Sequence, residues 1–393
     1  MDFRKLAEEN KDFLVETRRH LHEHPELSCH EFETSKFFKK YLDEWKIPYK
    51  EAGKTSIVAT IKGGLPGKVI AARGDFDALP ILEKTGLSFA SKNPGVMHAC
   101  GHDFHGTFML GLAKILKDLR PQIKGTVKLI FQEGEEIGAG APEILAAGLL
   151  DDVQTIVGLH VSPAEEVGQY VLNYGIMSAH GSGVLVTFDS DGGNISEPEN
   201  SNNALLAAGG FVNNITSILN QRHSKYNQAV AVPTVVKVLE KKGGIPSKVQ
   251  VAFNFRTYDL KIAKLLDDLF DKTAAGVKET YDVAVDVAHR SPSTSVDNDK
   301  ECTDRAVKII EKLHGKGSVI WSKPFTGGEN FSRFQQKIPG VFVHIGAAPA
   351  NHPKGVYGNL HTPDVVFNEQ VLVDGVEFFL NYIYDFLEEG SKN

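Results

Sequence analysis

The sequence has few cysteines, no long apolar run and no excess of basic residues. Three cysteines in 393 residues, Cys29, Cys100 and Cys302, are an odd number with wide spacing, so they predict no disulfide framework. No uninterrupted apolar stretch approaches membrane-spanning length. Acidic residues outnumber basic residues by 50 to 43, which gives a net charge of −7. This balance argues against nucleic acid or an anionic membrane as a partner.

The start of the chain, Met1–Lys5, lacks the basic-then-apolar pattern of a secretory leader. Together with the missing disulfide framework, this predicts a cytoplasmic protein. The remaining composition, 41% apolar and 24% charged, is typical of a globular protein.

A length of 393 residues is long for one hydrophobic core, so two domains are expected. Strand and helix patterns alternate up to about residue 160 and again after about residue 300, which predicts an α/β domain. Between them, several strands and two helices predict a smaller α+β domain. We therefore expect a discontinuous α/β domain over 1–177 and 292–393, with an inserted domain over 178–291.

Local patterns place the elements near the candidate functional residues. Apolar residues at helical spacing predict helices over 3–22 and 106–119. The apolar runs 126–132 and 155–160 are predicted strands. Polar residues follow the first of these strands and end the second, at the position where open α/β sheets carry their functional groups.

The most unusual stretch runs from Met97 to Gly106 and holds three histidines, one cysteine and one aspartate within ten residues. Cys100 and His102 are two positions apart, so in an extended segment their side chains would point to one face. A thiolate with imidazoles suits zinc, and imidazole also binds manganese, iron and nickel. The alternative is an ordinary loop with a buried cysteine and histidines at a helix start. Five candidate ligands so close together favour a metal site.

Further metal-type ligands occur in three separate segments. Glu135 and Glu136 follow one predicted strand. His160 ends the next strand, and His361 lies in a turn before the C-terminal helix. Because the strands of one sheet deliver their ends to the same edge, we expect these groups to meet the Cys100 loop. Taken alone, the paired glutamates would be the solvated start of a helix.

These stretches, with the residues around them, resemble a known family. The segments that carry the resemblance are Arg73-Gly-Asp-Phe-Asp-Ala-Leu-Pro80, Met97-His-Ala-Cys-Gly-His-Asp103, Phe131-Gln-Glu-Gly-Glu-Glu136, Gly158-Leu-His160 and Leu360-His-Thr-Pro363. They are similar to the metallopeptidase family that includes glutamate carboxypeptidase, aminoacylase and hippurate hydrolase, and the Cys-Gly-His form resembles its amidohydrolase subfamily. The resemblance implies an α/β, dinuclear-metal exopeptidase-like catalytic domain with an inserted α+β dimerisation (lid) domain. It also implies a homodimer or a larger symmetric oligomer.

The resemblance implies a role for each position that matches the family's motifs. Two divalent metal ions per chain, zinc or manganese, would be held by Cys100, His102, Glu136, His160 and His361. Glu135, next to a ligand but not one itself, would be the general base. Asp77 would hold a ligand in its orientation.

The inserted domain departs from the family's pattern. Asn194, in Asp191-Gly-Gly-Asn194, stands where the subfamily has a histidine that reaches the substrate of a partner subunit and stabilises the developing oxyanion. Asn194 can donate a hydrogen bond but cannot carry a charge. Arg256 resembles the family's arginine and would bind a substrate carboxylate, with a surface salt bridge on a strand as the alternative. These two are the expected substrate-binding residues.

The combined expectation is a metal-dependent amidohydrolase whose small-molecule substrate is an N-acyl amino acid or a short peptide. A metal-activated water would attack the amide bond, with Glu135 as the general base. A dipeptidase or aminopeptidase is the alternative among enzymes. A non-catalytic metal-binding relative is the alternative from another class of protein, and the presence of Glu135 beside the ligands speaks against it.

Overall fold

The computed structural model describes residues 1–225, 229–290, 294–350 and 359–389. The chain divides into a first unit of Met1–Met177, Val296–Lys323 and Glu329–Asn393, and a second unit of Ser178–Ser295 and Pro324–Gly328. The boundary expected at 291/292 lies outside the described residues. Residues 324–328, which the sequence analysis assigns to the first unit, group with the second.

Helices and strands alternate along most of the first unit. Over the described residues the α-helices are α1 (Phe3–Glu9), α2 (Lys11–Glu23), α3 (Phe32–Glu44), α4 (His102–Leu119), α5 (Ala141–Ala146), α6 (Ala204–Gln221), α7 (Leu260–Tyr281), α8 (Lys300–His314), α9 (Ser332–Gln335) and α10 (Val371–Glu389). The β-strands are β1 (Tyr49–Ala52), β2 (Ser56–Lys62), β3 (Leu65–Asp75), β4 (Lys124–Gln132), β5 (Thr155–Ser162), β6 (Tyr170–Leu172), β7 (Gly175–Ile176), β8 (His180–Asp189), β9 (Ala229–Lys242), β10 (Ile245–Thr257), β11 (Ala284–His289), β12 (Asp297–Asn298), β13 (Val319–Trp321) and β14 (Gly340–Gly346). None of the described helices is both long and apolar enough to cross a membrane.

The core of the first unit is a mixed sheet in the order β1-β2-β4-β3-β5-β14-β6-β13. Its centre is parallel, because β3 pairs with β4 and β5, and β5 pairs with β14. Every residue of β5 is buried, as in a central strand that is covered on both faces. Helices α4 and α10 pack against this sheet and against each other. The α/β fold expected from the sequence is confirmed for this unit.

Two helix boundaries differ from the sequence prediction. The predicted helix over 3–22 is two helices, because Asn10 donates its side-chain amide to Leu6 O and separates α1 from α2. The helix predicted from 106 begins earlier, at His102. The earlier start places a candidate metal ligand on the first turn of a buried helix.

The second unit is an antiparallel sheet in the order β11-β8-β10-β9. The side chains of β10 alternate between buried and more exposed positions, and helices α6 and α7 pack on this sheet. Strand β9 lies at the edge, and most of its residues are exposed. Its exposed large apolar side chains are Val230, Val232, Val235, Val236, Val238 and Leu239. A long apolar edge strand is the kind of surface that another chain covers.

Candidate metal centre

The candidate site begins where β4 ends. Glu133 is buried, and the chain then turns through Gly134, whose φ of +61° is left-handed. A single 3₁₀ turn, Glu135–Ile137, follows, so the paired glutamates do not start a long helix. Ligand atoms of His102, Glu135 and Glu136 lie within 4.8 Å of one another. The turn therefore presents both carboxylates to the same group of side chains.

Cys100 and His102 reach this group from the loop before α4. The expectation of an extended segment is wrong here, because Gly101 between them has a φ of +86° and His102 already belongs to α4. A side chain at Gly101 would not fit, since a Cβ there would lie 2.3 Å from Val161 Cγ2. The left-handed residue allows a tight turn, and ligand atoms of Cys100, His102 and His160 still lie within 4.8 Å of one another.

The Cys100 thiol lies at the centre of the cluster. Its Sγ is 3.4 Å from His160 Nε2 and 3.2 Å from His361 Nε2. Glu136 Oε1 lies 3.4 Å from His361 Nε2 and 4.0 Å from His102 Nε2. Two sets of three potential ligands result, Cys100–His102–His160 and Cys100–Glu136–His361, and Cys100 belongs to both. The structure thus brings together all five residues that the resemblance implies as ligands.

The free polar atoms of the cluster fit a divalent cation. Within the described residues, the buried atoms His102 Nε2 and Glu136 Oε1 have no hydrogen-bond partner, which is unfavourable unless a further group binds them. His160 Nδ1 donates to Val161 O at 2.7 Å, which leaves its Nε2 lone pair facing the thiol. Burial, with His105 nearby, lowers the pKa of His160 well below its usual range, so this ring is neutral. Thiolate, imidazole and carboxylate donors together suit zinc.

Asp77 connects two of these ligands. Its Oδ1 accepts the Nδ1 proton of His102 at 3.0 Å, and this contact directs His102 Nε2 into the cluster. Its Oδ2 accepts the backbone N–H of Glu136 at 3.1 Å. Burial raises the pKa of Asp77, but the hydrogen bond and charge of His102, together with the hydrogen bond from Ser28, hold the pKa below its usual value. Asp77 is therefore an ionised acceptor for both segments.

Asp75 and His105 also join the site, although the sequence analysis did not assign them to it. His105 Nδ1 donates to Asp75 Oδ1 at 2.6 Å, and His105 Nε2 accepts the N–H of Val161 at 3.0 Å. Asp75 also pairs with Arg73 at 2.6 Å. Asp75 Oδ1 accepts the hydrogen bond from His105, and Oδ2 forms the ion pair with Arg73, so Asp75 supports these two neighbours. The sequence feature that could have assigned His105 to the site is its spacing from His102, since the two residues lie about one helical turn apart.

Glu135 lies beside the candidate ligands and is held in place by the backbone. Its Oε1 accepts the N–H of Asn330 at 3.0 Å. Burial, together with the negative charge of Glu329, raises the pKa of Glu135 well above the usual range of a carboxyl group. Arg73 offsets part of this charge, because it lies 3.1 Å from Glu329. Cations at the cluster would lower the pKa of Glu135 again and favour its ionised form.

Asn194 and Arg256, the expected substrate-binding residues, lie in the second unit. Asn194 is exposed, and its Oδ1 accepts the N–H of Ser196 at 3.0 Å in a local turn. Arg256 is half-buried on β10 and donates to Phe255 O at 3.3 Å. Among the described residues no carboxylate forms an ion pair with Arg256, so its guanidinium has charge available for a ligand.

A parallel-centred α/β sheet that gathers histidine, cysteine and glutamate side chains around one buried thiol is an arrangement suited to a metal-dependent hydrolase. The comparisons with known proteins place this chain within that class. Residues 71–385 match the family described as Peptidase family M20/M25/M40. The chain belongs to this family, whose catalytic domain carries an inserted domain, and the expected fold is confirmed.

Relatives and solved structures cover almost the whole chain. An N-acetylcysteine deacetylase from Bacillus subtilis (strain 168) is 34% identical over 368 residues, 93% of this chain and 94% of that protein. A putative aminohydrolase from methicillin-resistant Staphylococcus aureus superposes with a TM-score of 0.90 at 29% identity, over 98% of this chain and 99% of that one. A dinuclear metal binding peptidase from Bacillus subtilis has a TM-score of 0.80 at 33% identity, over 97% of this chain and 99% of that one. This protein is thus a metal-dependent hydrolase of C–N bonds.

Proposed function

We propose that this enzyme hydrolyses the amide bond of N-acyl amino acids that carry a free carboxylate, with two divalent cations, zinc or manganese, and Glu135 as the general base. The observation that carries the proposal is the pair of ligand sets that share the Cys100 thiol, with Glu135 beside them. A single thiol common to two sets of three ligands suits two neighbouring cations. Bound divalent cations polarise a carbonyl and acidify water.

The ligand set assigns a task to each side chain at the cluster. Cys100 would contact both cations, His102 and His160 would complete one set, and Glu136 and His361 the other. Asp77 keeps His102 in the tautomer that presents Nε2, because an ionised carboxylate can only accept a hydrogen bond.

Glu135 is suited to move a proton because it lies beside the two ligand sets that share Cys100 and belongs to neither of them. In the reaction, Glu135 takes a proton from the attacking water while the new bond to the carbonyl carbon forms. It then gives this proton to the amide nitrogen as the C–N bond breaks, so the amine leaves neutral. The hydrogen bond from Asn330 holds the carboxylate in place during both transfers.

The preference for an N-acyl amino acid is supported by the relative named as an N-acetylcysteine deacetylase. Arg256 would bind the substrate carboxylate in a charge-assisted hydrogen bond. Asn194 would act as a neutral donor to the developing oxyanion, and a neutral donor stabilises that charge less than a protonated histidine does.

We further propose a homodimer that forms through the second unit. The exposed valines of β9 and the exposed side chains of Leu205 and Leu206 on α6 support this, since they offer apolar surface and an unpaired strand edge. The free cysteines Cys29, Cys100 and Cys302 suit a reducing compartment, and we propose the cytoplasm as the location.

A matched substrate panel tests the proposed reaction. The purified protein, loaded with manganese or zinc, is offered N-acetyl amino acids, the same compounds with the carboxylate converted to an amide, and dipeptides. We expect amine release from the N-acyl acids at the highest kcat/KM. We also expect Arg256→Leu to raise KM for the acid roughly tenfold or more while leaving the amide unaffected. Faster cleavage of dipeptides would favour a peptidase, and a metal-loaded protein that cleaves no compound would contradict the proposal.

A further inference from the structure

A second polar cluster adjoins the turn that carries Glu135 and Glu136. Its members are Glu31 just before α3, Thr55 just before β2 and Glu133 just after β4. All three are buried, with exposed fractions of 0%, 1% and 1%. None of them belongs to the ligand sets, yet two are carboxyl groups, which are rarely buried so completely without a specific arrangement of partners.

The hydrogen atoms available in this cluster do not suffice for two ionised carboxylates. Thr55 Oγ1 lies 2.9 Å from Glu31 Oε2 and 2.6 Å from Glu133 Oε2, and both are hydrogen-bond distances. A hydroxyl group has one hydrogen to donate, and an ionised carboxylate only accepts. If both glutamates were ionised, one contact would set two acceptors against each other in a buried site. One carboxyl group must therefore be protonated and donate to Thr55 Oγ1.

The remaining contacts identify the protonated group as Glu31. Glu133 accepts the N–H of Thr55 at 2.5 Å on Oε2 and the N–H of Lys54 at 2.9 Å on Oε1, as an ionised carboxylate would. Glu31 accepts backbone N–H groups on Oε1, including that of Gly134 at 2.9 Å, while its Oε2 faces the Thr55 hydroxyl. A proton on Oε2 completes a chain in which Glu31 donates to Thr55 and Thr55 donates to Glu133.

We propose that Glu31 is a positioning residue of the metal site and that it acts as a neutral carboxylic acid. Its Oε1 holds the N–H of Gly134, the residue that opens the glutamate turn. Three positions earlier, Ser28 Oγ donates to Asp77 Oδ2 at 2.7 Å. One short segment, 28–31, thus supports both the glutamate turn and the aspartate that orients a histidine ligand. The inference rests on the proposed function, because it assigns Glu31 to the same metal site.

The charged groups around Glu31 favour its neutral form, which predominates below a pH of about 7. Burial, with the negative charge of Asp77, raises the pKa of Glu31 to about 7. Glu133 adds a second carboxylate from the end of β4, and Lys54 is the cation of the turn between β1 and β2. Burial raises the pKa of the neighbouring Cys29 thiol to about 11, so this group adds no charge at neutral pH.

Three variants of the full chain test the assignment. Glu31→Gln keeps an acceptor for Gly134 and offers an amide N–H to Thr55, so it mimics the neutral acid. Glu31→Ala removes both contacts. Glu133→Gln is the matched control, because an amide there sets its N–H₂ group against backbone N–H donors. The readouts, taken below pH 7 where the wild-type acid is protonated, are the dissociation constant for Co²⁺ and the visible spectrum of the cobalt-loaded protein, which reports the geometry of the ligands.

We expect Glu31→Gln to match the wild type in both readouts and Glu31→Ala to lose roughly 10- to 100-fold in metal affinity with an altered spectrum. Glu133→Gln should bind the metal more weakly than Glu31→Gln. Equal losses in Glu31→Gln and Glu31→Ala would mean that Glu31 is ionised, and an unaffected Glu31→Ala would mean that it positions nothing. Either result overturns the inference.

Two provisions keep the test decisive. Should Glu31→Ala not fold, Glu31→Asp takes its place, since it keeps the acid but is one methylene too short to reach both partners. Metal binding is measured without substrate, so the readouts do not depend on which amide the enzyme cleaves. A protein that binds Co²⁺ as expected but hydrolyses nothing would count against the proposed function alone.

Discussion

His102 Nδ1 lies 3.0 Å from Asp77 Oδ1, and the other oxygen of the same carboxylate accepts the N–H of Glu136 at 3.1 Å. One aspartate therefore sets the orientation of two candidate ligands that are far apart in the sequence. Asp77→Ala should lower metal affinity roughly 10- to 100-fold, because His102 loses the contact that selects its tautomer. Metal titration of apo-protein measures this, with the surface variant Asp118→Ala as control. Unchanged affinity in Asp77→Ala would contradict the orienting role.

The adjacent glutamates should separate catalysis from metal binding. Glu135→Gln keeps the size of the side chain but cannot accept the proton of water, so kcat should fall roughly 10²- to 10⁴-fold while the metal content stays at the wild-type level. Glu136→Gln weakens a candidate ligand, so metal content should fall with activity. Metal analysis beside steady-state kinetics distinguishes the two, and metal loss from Glu135→Gln would reverse the assignment.

The central thiol should be the ligand whose loss affects both metal positions. Cys100→Ser replaces a soft donor by a hydroxyl, so both equivalents of metal should bind more weakly, zinc more so than manganese. Cys302→Ser is the matched control, because Cys302 is also buried but lies 3.2 Å from Thr155 Oγ1, outside the cluster. The loss of a single equivalent from Cys100→Ser would contradict a thiol shared by two cations.

The clustering of the candidate ligand residues could be predicted because their chemistry is rare in sequence. Cys100 with His102, and Glu135 with Glu136, stand out at strand and helix boundaries, and the family's motifs surround them. The local backbone conformation could not be predicted from the sequence. In place of the expected extended segment, Gly101 is left-handed and α4 begins at His102. The backbone conformation of a single glycine between two candidate ligands cannot be predicted from the sequence. It becomes clear in the structure, where Val161 packs closely against Gly101.

The support of the site could not be predicted. In the sequence, Glu31 looks like any solvated glutamate at a helix start, and Thr55 looks like the first residue of an ordinary strand. Their supporting role can be recognised only in the folded protein, where the sheet places them against Glu133, 78 residues beyond Thr55 in the chain. Hydrogen-bond donors and acceptors of distant segments can be counted only in the folded structure.

The edge strand of the second unit should control self-association. Val236 and Val238 are 57% and 38% exposed and lie two positions apart on β9, so they share a face. Val236→Lys with Val238→Lys places two charges on this face, and we expect the sedimentation coefficient to fall from that of a dimer to that of a monomer. Lys237→Gln is the control on the same strand. A double variant that remains dimeric would place the interface elsewhere.

The neutral form of Glu31 should also appear in the pH dependence of stability. The pKa of Glu31 is about 7 in the folded protein because of burial, against an ordinary value of 4.5. The folded state therefore binds more protons than the unfolded state between these values, and stability from this group falls as pH rises. It is fully present below pH 4.5 and is lost as the pH rises through about 7.

The glutamine of Glu31→Gln does not titrate. The difference in unfolding free energy between wild type and variant therefore isolates the contribution of Glu31 from that of all other titrating groups. We expect this difference to shift against the wild type by on the order of 3 kcal/mol between pH 4.5 and 7 and then to level off. Urea unfolding of chelator-treated protein measures it through Trp45 and Trp321, which belong to the same unit as Glu31. A difference that grows in favour of the wild type with rising pH would mean that the fold stabilises the ionised carboxylate instead.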